Sequence, residues 1–282
     1  TFTGSTINNL STVDGGINSL TITGNADVDG AITGVTNLSV SGTSNLGADV
    51  TTTGTQTYTG AVTLSGGNRT LRTSDSQITF SDIVNSEASQ ARGLAITVGT
   101  SEVEFNGVVG GAANGGLGAI AITGNLDLNA NITSATSLTV SGISDLGADF
   151  TTTGTQTYTG AVILSTNSDL ITTNNGNVSF AGTINGAKTL SITTHGTGDV
   201  TLSNALGNSA PLTGLTISTD VLTASALTLA NNSAISIVNA GSSSIGGIIA
   251  GSGVTLTKQG SGLLLLNGNN TYGGTTTVAA GT

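Results

Sequence analysis

Apolar and polar residues alternate one by one in short runs along almost the whole chain. Leu20-Thr21-Ile22-Thr23, Leu38-Ser39-Val40-Ser41, Gln77-Ile78-Thr79-Phe80 and Leu94-Ala95-Ile96-Thr97-Val98 read this way. So do Val103-Glu104-Phe105, Ile120-Ala121-Ile122, Val178-Ser179-Phe180 and Val200-Thr201-Leu202. A period of two sends one set of side chains inward and the other to solvent, as a half-buried strand requires. Gly, Asn, Ser and Asp separate the runs and supply turns. No stretch carries a 3.6-residue apolar stripe bounded by caps, so helix is expected almost nowhere.

The strands are organised by a repeat. Residues 41–62 and 141–162 agree at 19 of 22 positions and differ only at Thr43/Ile143, Asn45/Asp145 and Val50/Phe150. A more diverged copy follows, with Gln77-Ile78-Thr79-Phe80 matched by Asn177-Val178-Ser179-Phe180. Near-copies at fixed spacing mark an array in which each unit buries its apolar face against its neighbours. About five strand-and-turn groups per unit give coils of roughly 20 residues. The expected fold is all-β: a parallel β-helix, or β-solenoid, with an internal 100-residue repeat. It reads as one continuous solenoid over 1–282, with units near 1–54 (partial), 55–154, 155–254 and 255–282. About 14 coils at ~4.8 Å would make a rod roughly 65–70 Å long. Antiparallel sandwich modules would repeat at the same interval, but they call for more large core side chains than three Tyr and five Phe supply.

Composition narrows the function. Charged residues make up 7% of the chain, against roughly 25% in an average soluble protein. With 36% apolar residues this is not charge-driven disorder. Net charge is −10, and the five basic residues Arg69, Arg72, Arg92, Lys188 and Lys258 are spread along the sequence without forming a stripe. Nucleic acid and anionic lipid are therefore not expected partners. No cysteine is present, so no disulfide framework or thiolate metal site is expected. No apolar run reaches membrane-spanning length, and no membrane insertion of this segment is expected.

The stretch 254–281 carries Leu256, Lys258, Gly260, Gly262, Leu264, Leu266, Gly268, Asn270, Tyr272, Gly274, Thr276, Val278 and Gly281. These fall on the pattern L-x-K-x-G-x-G-x-L-x-L-x-G-x-N-x-Y-x-G-x-T-x-V-x-x-G, and the stretch resembles the β-strand repeat of bacterial autotransporter passenger domains. Segments 55–62 and 155–162, with Tyr58, Gly60, Tyr158 and Gly160, look like weaker relatives. The resemblance implies a right-handed β-helix exported by a type V route to the cell surface or beyond, and it implies no single activity. The structural repeat residues singled out are Tyr58, Gly60, Tyr158, Gly160, Gly268, Asn270, Tyr272 and Gly274. Gly268, Gly273 and Gly274 are expected to turn the chain with positive φ. Tyr272 is expected to lay its ring on a neighbouring coil with the hydroxyl toward water. In 262–266 alternation fails, which predicts coverage of both strand faces or a bulge.

Catalytic constellations are scarce. The single histidine, His195, lies in Thr194-His195-Gly196 and no G-x-S-x-G elbow surrounds a serine, so it reads as a turn residue. Asp27 with Asp29, and Glu102 with Glu104, each point to one face with Val28 or Val103 turned inward. Their counterparts one unit on, Asp127 with Asn129 and Asp199 with Thr201, keep only one acid, as a solvated face would. No enzyme activity, cofactor or metal is expected. The reading is an extracellular structural or adhesive rod mediating attachment or matrix formation. Its partners are a host or abiotic surface, a glycan, or other copies of itself. Two alternatives are a filament subunit stacking end to end, and a Thr-rich face, Thr51–Thr53 with Thr55, Thr57 and Thr59, that binds polysaccharide or ice.

Overall fold

The computed structural model describes residues 2–282; Thr1, where the first predicted stretch begins, lies outside them. Strands are short, most of three residues, and no helix occurs among the described residues. The strand pairings described are parallel and join a strand to its counterpart one coil later. This is a β-solenoid. The chain forms two compact units, Thr1–Gly142 and Ile143–Thr282.

In the first unit each coil contributes strands to three columns. One runs from Leu38–Val40 through Gln56–Tyr58 and Ile78–Phe80 to 103–105 and 126–128. A second holds 26–28, Ser44–Leu46, Val62–Leu64 and Val84–Ser86. The third holds Val50–Thr52, Arg69–Arg72, 94–97 and 120–123. The coil length is not constant: Leu38 faces Gln56, Gln56 faces Ile78, and Ile78 faces Val103. Extra residues are placed at the corners, in 87–93 and 110–116, while the strands keep their register. The second unit repeats the plan, one column running Gln156–Tyr158, Val178–Phe180, Val200–Leu202 and Leu222–Ala224.

The core is the inward half of the alternation. Strands read buried, part-exposed, buried, as in Leu38–Val40, Ile78–Phe80 and Val200–Leu202. Parallel in-register stacking puts like on like. Tyr58, Phe80 and Phe105 face each other on successive coils, with ring centroids 5.3 and 5.0 Å apart and interplanar angles of 10° and 6°. Tyr158 stacks on Phe180 at 4.8 Å and meets Phe150 edge-on at 6.2 Å. Offset stacks of this kind contribute about 0.5–1.5 kcal/mol beyond their area burial.

Two expectations about the last coils need correction. Gly268, Gly273 and Gly274 do not adopt positive φ; Gly260 (φ 78°) and Gly281 (φ 74°) do. What excludes a side chain at Gly268 and Gly274 is space, because a Cβ would strike the carbonyl oxygens of Gly247 and Val254 on the preceding coil. In 262–266 alternation breaks at Leu263 and Leu264, both part-buried, and holds within strand Leu264–Leu266, where Leu265 is 46% exposed on the outer face.

Candidate functional site

The chemistry that the structure assembles is mostly internal to the coils. Gln56 and Tyr58 share a strand and a parity, so both project into the core, and both are fully buried. The Tyr58 hydroxyl donates to Gln56 Oε1 at 3.1 Å. Gln56 Nε2 donates to the Arg72 carbonyl at 2.8 Å and lies 3.3 Å from both Thr52 Oγ1 and the Val50 carbonyl. The same arrangement recurs around Gln156 and Tyr158, with Nε2 donating to the Ile171 carbonyl at 3.0 Å and to Thr152 Oγ1 at 3.2 Å. Burial drives both phenols well above their ordinary pKa. They are neutral donors, not bases. Tyr58 and Tyr158 stand out in the repeat motif, whereas the glutamines carry no such mark, although Gln56 has Tyr58's parity.

Corners are closed by a second polar column. Thr152, Thr172, Thr194, Thr219 and Asn239 succeed one another from coil to coil, all buried. The hydroxyls of Thr152, Thr172 and Thr194 donate at 2.6 Å to the carbonyls of Gly154, Gly176 and Gly198. Asn239 Nδ2 does the same for Gly241 at 2.7 Å. On the following coil Lys258 takes over. Its side chain is buried, and Nζ donates to the carbonyls of Gln259, Gly260 and Ala280 at 2.7, 2.9 and 3.2 Å. Burial lowers its pKa.

The remaining motif residues cluster on the same last coils. Asn270 Oδ1 accepts the Ile249 N–H at 2.8 Å. Tyr272 is half-exposed, and its hydroxyl lies 2.6 Å from Thr276 Oγ1. Gly60 lies in the first unit and Gly160 on an earlier coil of the second. A Cβ on Gly60 would collide with the Gly42 backbone, and Gly182 allows none because of the Gly160 carbonyl oxygen.

The acids do structural work too. Asn and Asp side chains at coil corners accept the backbone N–H of the coil that follows: Asn25 from Thr43, Asn37 from Thr55, Asp49 from Thr70, Asn177 from Asp199 and Asp199 from Val221. Asp75 receives both the N–H and the hydroxyl of Thr100, which lowers its pKa. Glu102 and Glu104 are joined through Gln77 Nε2, at 3.1 and 3.2 Å. Asp27 accepts from Asn45 Nδ2 at 2.7 Å. His195 is exposed, with Nδ1 2.7 Å from the Thr172 carbonyl oxygen. Among the described residues no three His, Cys, Asp or Glu side chains gather as a metal site would require.

The outer faces present small hydroxyls. In the second unit Thr157, Ser179, Thr201, Thr223 and Ser244 lie in register on successive coils. Sequence had shown such threonines only once per 100 residues; stacking adds serines and threonines from segments that share no motif.

The last strands decide the kinship. Thr255–Gln259 is paired on one side with 234–238 and on the other with Thr276–Val278, so the motif spans consecutive solenoid coils. Residues 256–282 match the family model described as passenger-associated-transport-repeat. This segment resembles a passenger-associated transport repeat. Repeat and parallel solenoid together fit an autotransporter passenger domain with repeats, and the repeat family points to a secreted or cell-surface protein. No curated protein and no solved structure matches the chain. Within the passenger repeat, Lys258, Gly260, Gly268, Asn270 and Gly274 are all placed to hold one coil on the next.

Proposed function

We propose that this passenger-type solenoid is an extracellular structural and adhesive rod of a bacterial surface or secreted protein. It carries out attachment or matrix formation through its outer faces and performs no catalysis. The observation that carries the reading is the passenger repeat at 256–282, built into the same parallel ladder as the coils before it. Support comes also from where the polar chemistry goes. Gln56, Lys258 and the corner Asn and Asp residues are engaged in coil-to-coil bonds, and Tyr58 donates to Gln56 on its own strand. The outward rows are small and repetitive, suited to an extended contact in which many weak interactions act together.

The partner is a host or abiotic surface, or a glycan. The test is display of residues 1–282 on a bacterial surface through a neutral scaffold. Attachment to epithelial cells, or to glass and plastic, should rise above that of the scaffold alone. Attachment equal to the bare scaffold on every surface would overturn the adhesive reading.

A further inference from the structure

Three of the five basic residues, distant enough in sequence to look dispersed, lie on or beside the third column of the first unit. Arg69 and Arg72 belong to strand Arg69–Arg72, and Arg92 lies two residues before Leu94, which pairs with Arg69. Beside this strand lies a trough of about 400 Å³, lined by Arg69 and by Ala91 and Gly93 on either side of Arg92, and within the size range of small-ligand sites. Its floor is made of small residues: Thr70, Ala95 and Ala121 stand in register on three coils, and Gly93 and Gly118 flank them. A larger residue at Gly118 is excluded by the carbonyl oxygen of Ala91 and by Gly93 N, so the depression is fixed by the backbone. The corner loop 87–93 overhangs one side, held by the Ser89 N–H bond to the Asn114 carbonyl at 2.7 Å and by Arg92 N–H to Ser86 Oγ at 2.9 Å. Two residues further along the same strands, next to the lining residues Thr70, Ala95 and Ala121, runs a row of Arg72, Thr97 and Thr123, also in register.

The charges around the trough are not equivalent. Arg69 is largely committed: Nε donates to the Gly67 carbonyl at 3.2 Å, Nη1 to Gly47, and Asp49 lies at 4.0 Å. Arg92 is paired with Glu87 through Nε and Nη2. The nearby Asp75 carboxylate is taken by Thr100. Among the described residues Arg72 is the arginine that makes no ion pair, and it is exposed. In a chain of net charge −10 this places an unmatched guanidinium fork beside a shallow, hydroxyl-edged groove.

We propose that this trough is a subsite for an acidic glycan, a chain of uronate residues lying across the coils. Arg72 takes the sugar carboxylate in a bidentate pair, the geometry for which a guanidinium is built. Thr70, Thr97 and Thr123 exchange hydrogen bonds with ring hydroxyls. The Ala and Gly floor lets a sugar ring approach the sheet. A neutral glycan leaves Arg72 unmatched, and a bulkier peptide side chain meets the closed floor.

The site deepens the adhesive reading and rests on it; binding in solution is scored separately from cell attachment, so either can fail alone. The experiment is calorimetric titration of the 1–282 chain with a galacturonic acid oligomer, and with a neutral glucose oligomer of equal length. The uronate oligomer should bind saturably and more weakly as salt rises, and the glucose oligomer should not bind. Arg72→Gln should weaken binding by at least about tenfold, the scale of one charge-assisted hydrogen-bonded pair. Ala95→Phe, which fills the floor and leaves every charge in place, should abolish it, while Lys188→Gln in the second unit should leave it unchanged. Equal binding of both oligomers, no binding of the uronate oligomer, or wild-type affinity in both Arg72→Gln and Ala95→Phe would each overturn the proposal.

Discussion

The Tyr58 hydroxyl donates to Gln56 Oε1 over 3.1 Å, two residues apart on one strand and wholly inside the core. Tyr158 and Gln156 repeat the pair at 3.3 Å. A buried polar pair stabilises only when both partners are satisfied, since a lone buried acceptor costs about 1–3 kcal/mol.

Tyr58→Phe keeps the ring and its stack on Phe80 but strands Gln56 Oε1. It should destabilise the surrounding coils by about 1–3 kcal/mol, read as faster amide hydrogen exchange across 50–64. Adding Gln56→Leu should recover part of that loss. An additive double variant would show that the two side chains are not coupled.

Phe80 sits between Tyr58 and Phe105, so its loss removes two ring contacts at once. Phe80→Ala should cost about 3–5 kcal/mol through the cavity it leaves. Exchange protection should collapse in strands 56–58 and 103–105 together, because each stacks on the missing ring.

Lys258 is a buried cation satisfied by three carbonyls and no carboxylate. Lys258→Met leaves those carbonyls without a donor and should loosen strands 255–259 and 276–278 by about 1–3 kcal/mol at neutral pH. The pH dependence has a definite sign. The folded-state pKa is lowered, so the unfolded chain holds this proton more tightly, and wild-type stability relative to the variant should rise as pH climbs toward the ordinary lysine value. Paired melts at neutral and alkaline pH check it; a wild-type advantage that shrinks on alkalinisation contradicts it.

Asp199 accepts the Val221 N–H at 3.1 Å through one oxygen. If its role is to hold the corner, Asp199→Asn should match wild type within about 0.5 kcal/mol, while Asp199→Ala should lose about 1 kcal/mol. Chemical denaturation followed by circular dichroism separates the two. A loss in Asp199→Asn as large as in Asp199→Ala would mean that the charge itself matters.

Much of the architecture was legible from local rules. Runs such as Leu38-Ser39-Val40 and Ile78-Thr79-Phe80 were readable as strands with the correct residues inward, because alternation is a property of neighbouring residues. The passenger repeat was legible too, since Lys258, Gly260, Gly268, Asn270 and Gly274 follow a fixed spacing that a single coil pair imposes. The inward Gln56 was within reach of the same rule, but a polar residue at an apolar position gives no sign of its partner until Tyr58 and the Arg72 carbonyl are in place.

The sequence by itself determined the strands, the parallel array and the repeat. Each follows from period-two patterning, turn residues and self-similarity along the chain. Only the tertiary structure decided which residues stand on which. Parallel partners lie one coil apart, and the coil lengthens wherever a corner loop such as 87–93 is inserted, so the partner of a residue depends on loop lengths that alternation does not encode. That is why Arg69, Arg72 and Arg92 read as scattered and yet lie on or next to strands of one column, with Arg69 lining its trough. It is also why Gly268 and Gly274 were expected to serve as turns when close approach of the preceding coil is what excludes a side chain.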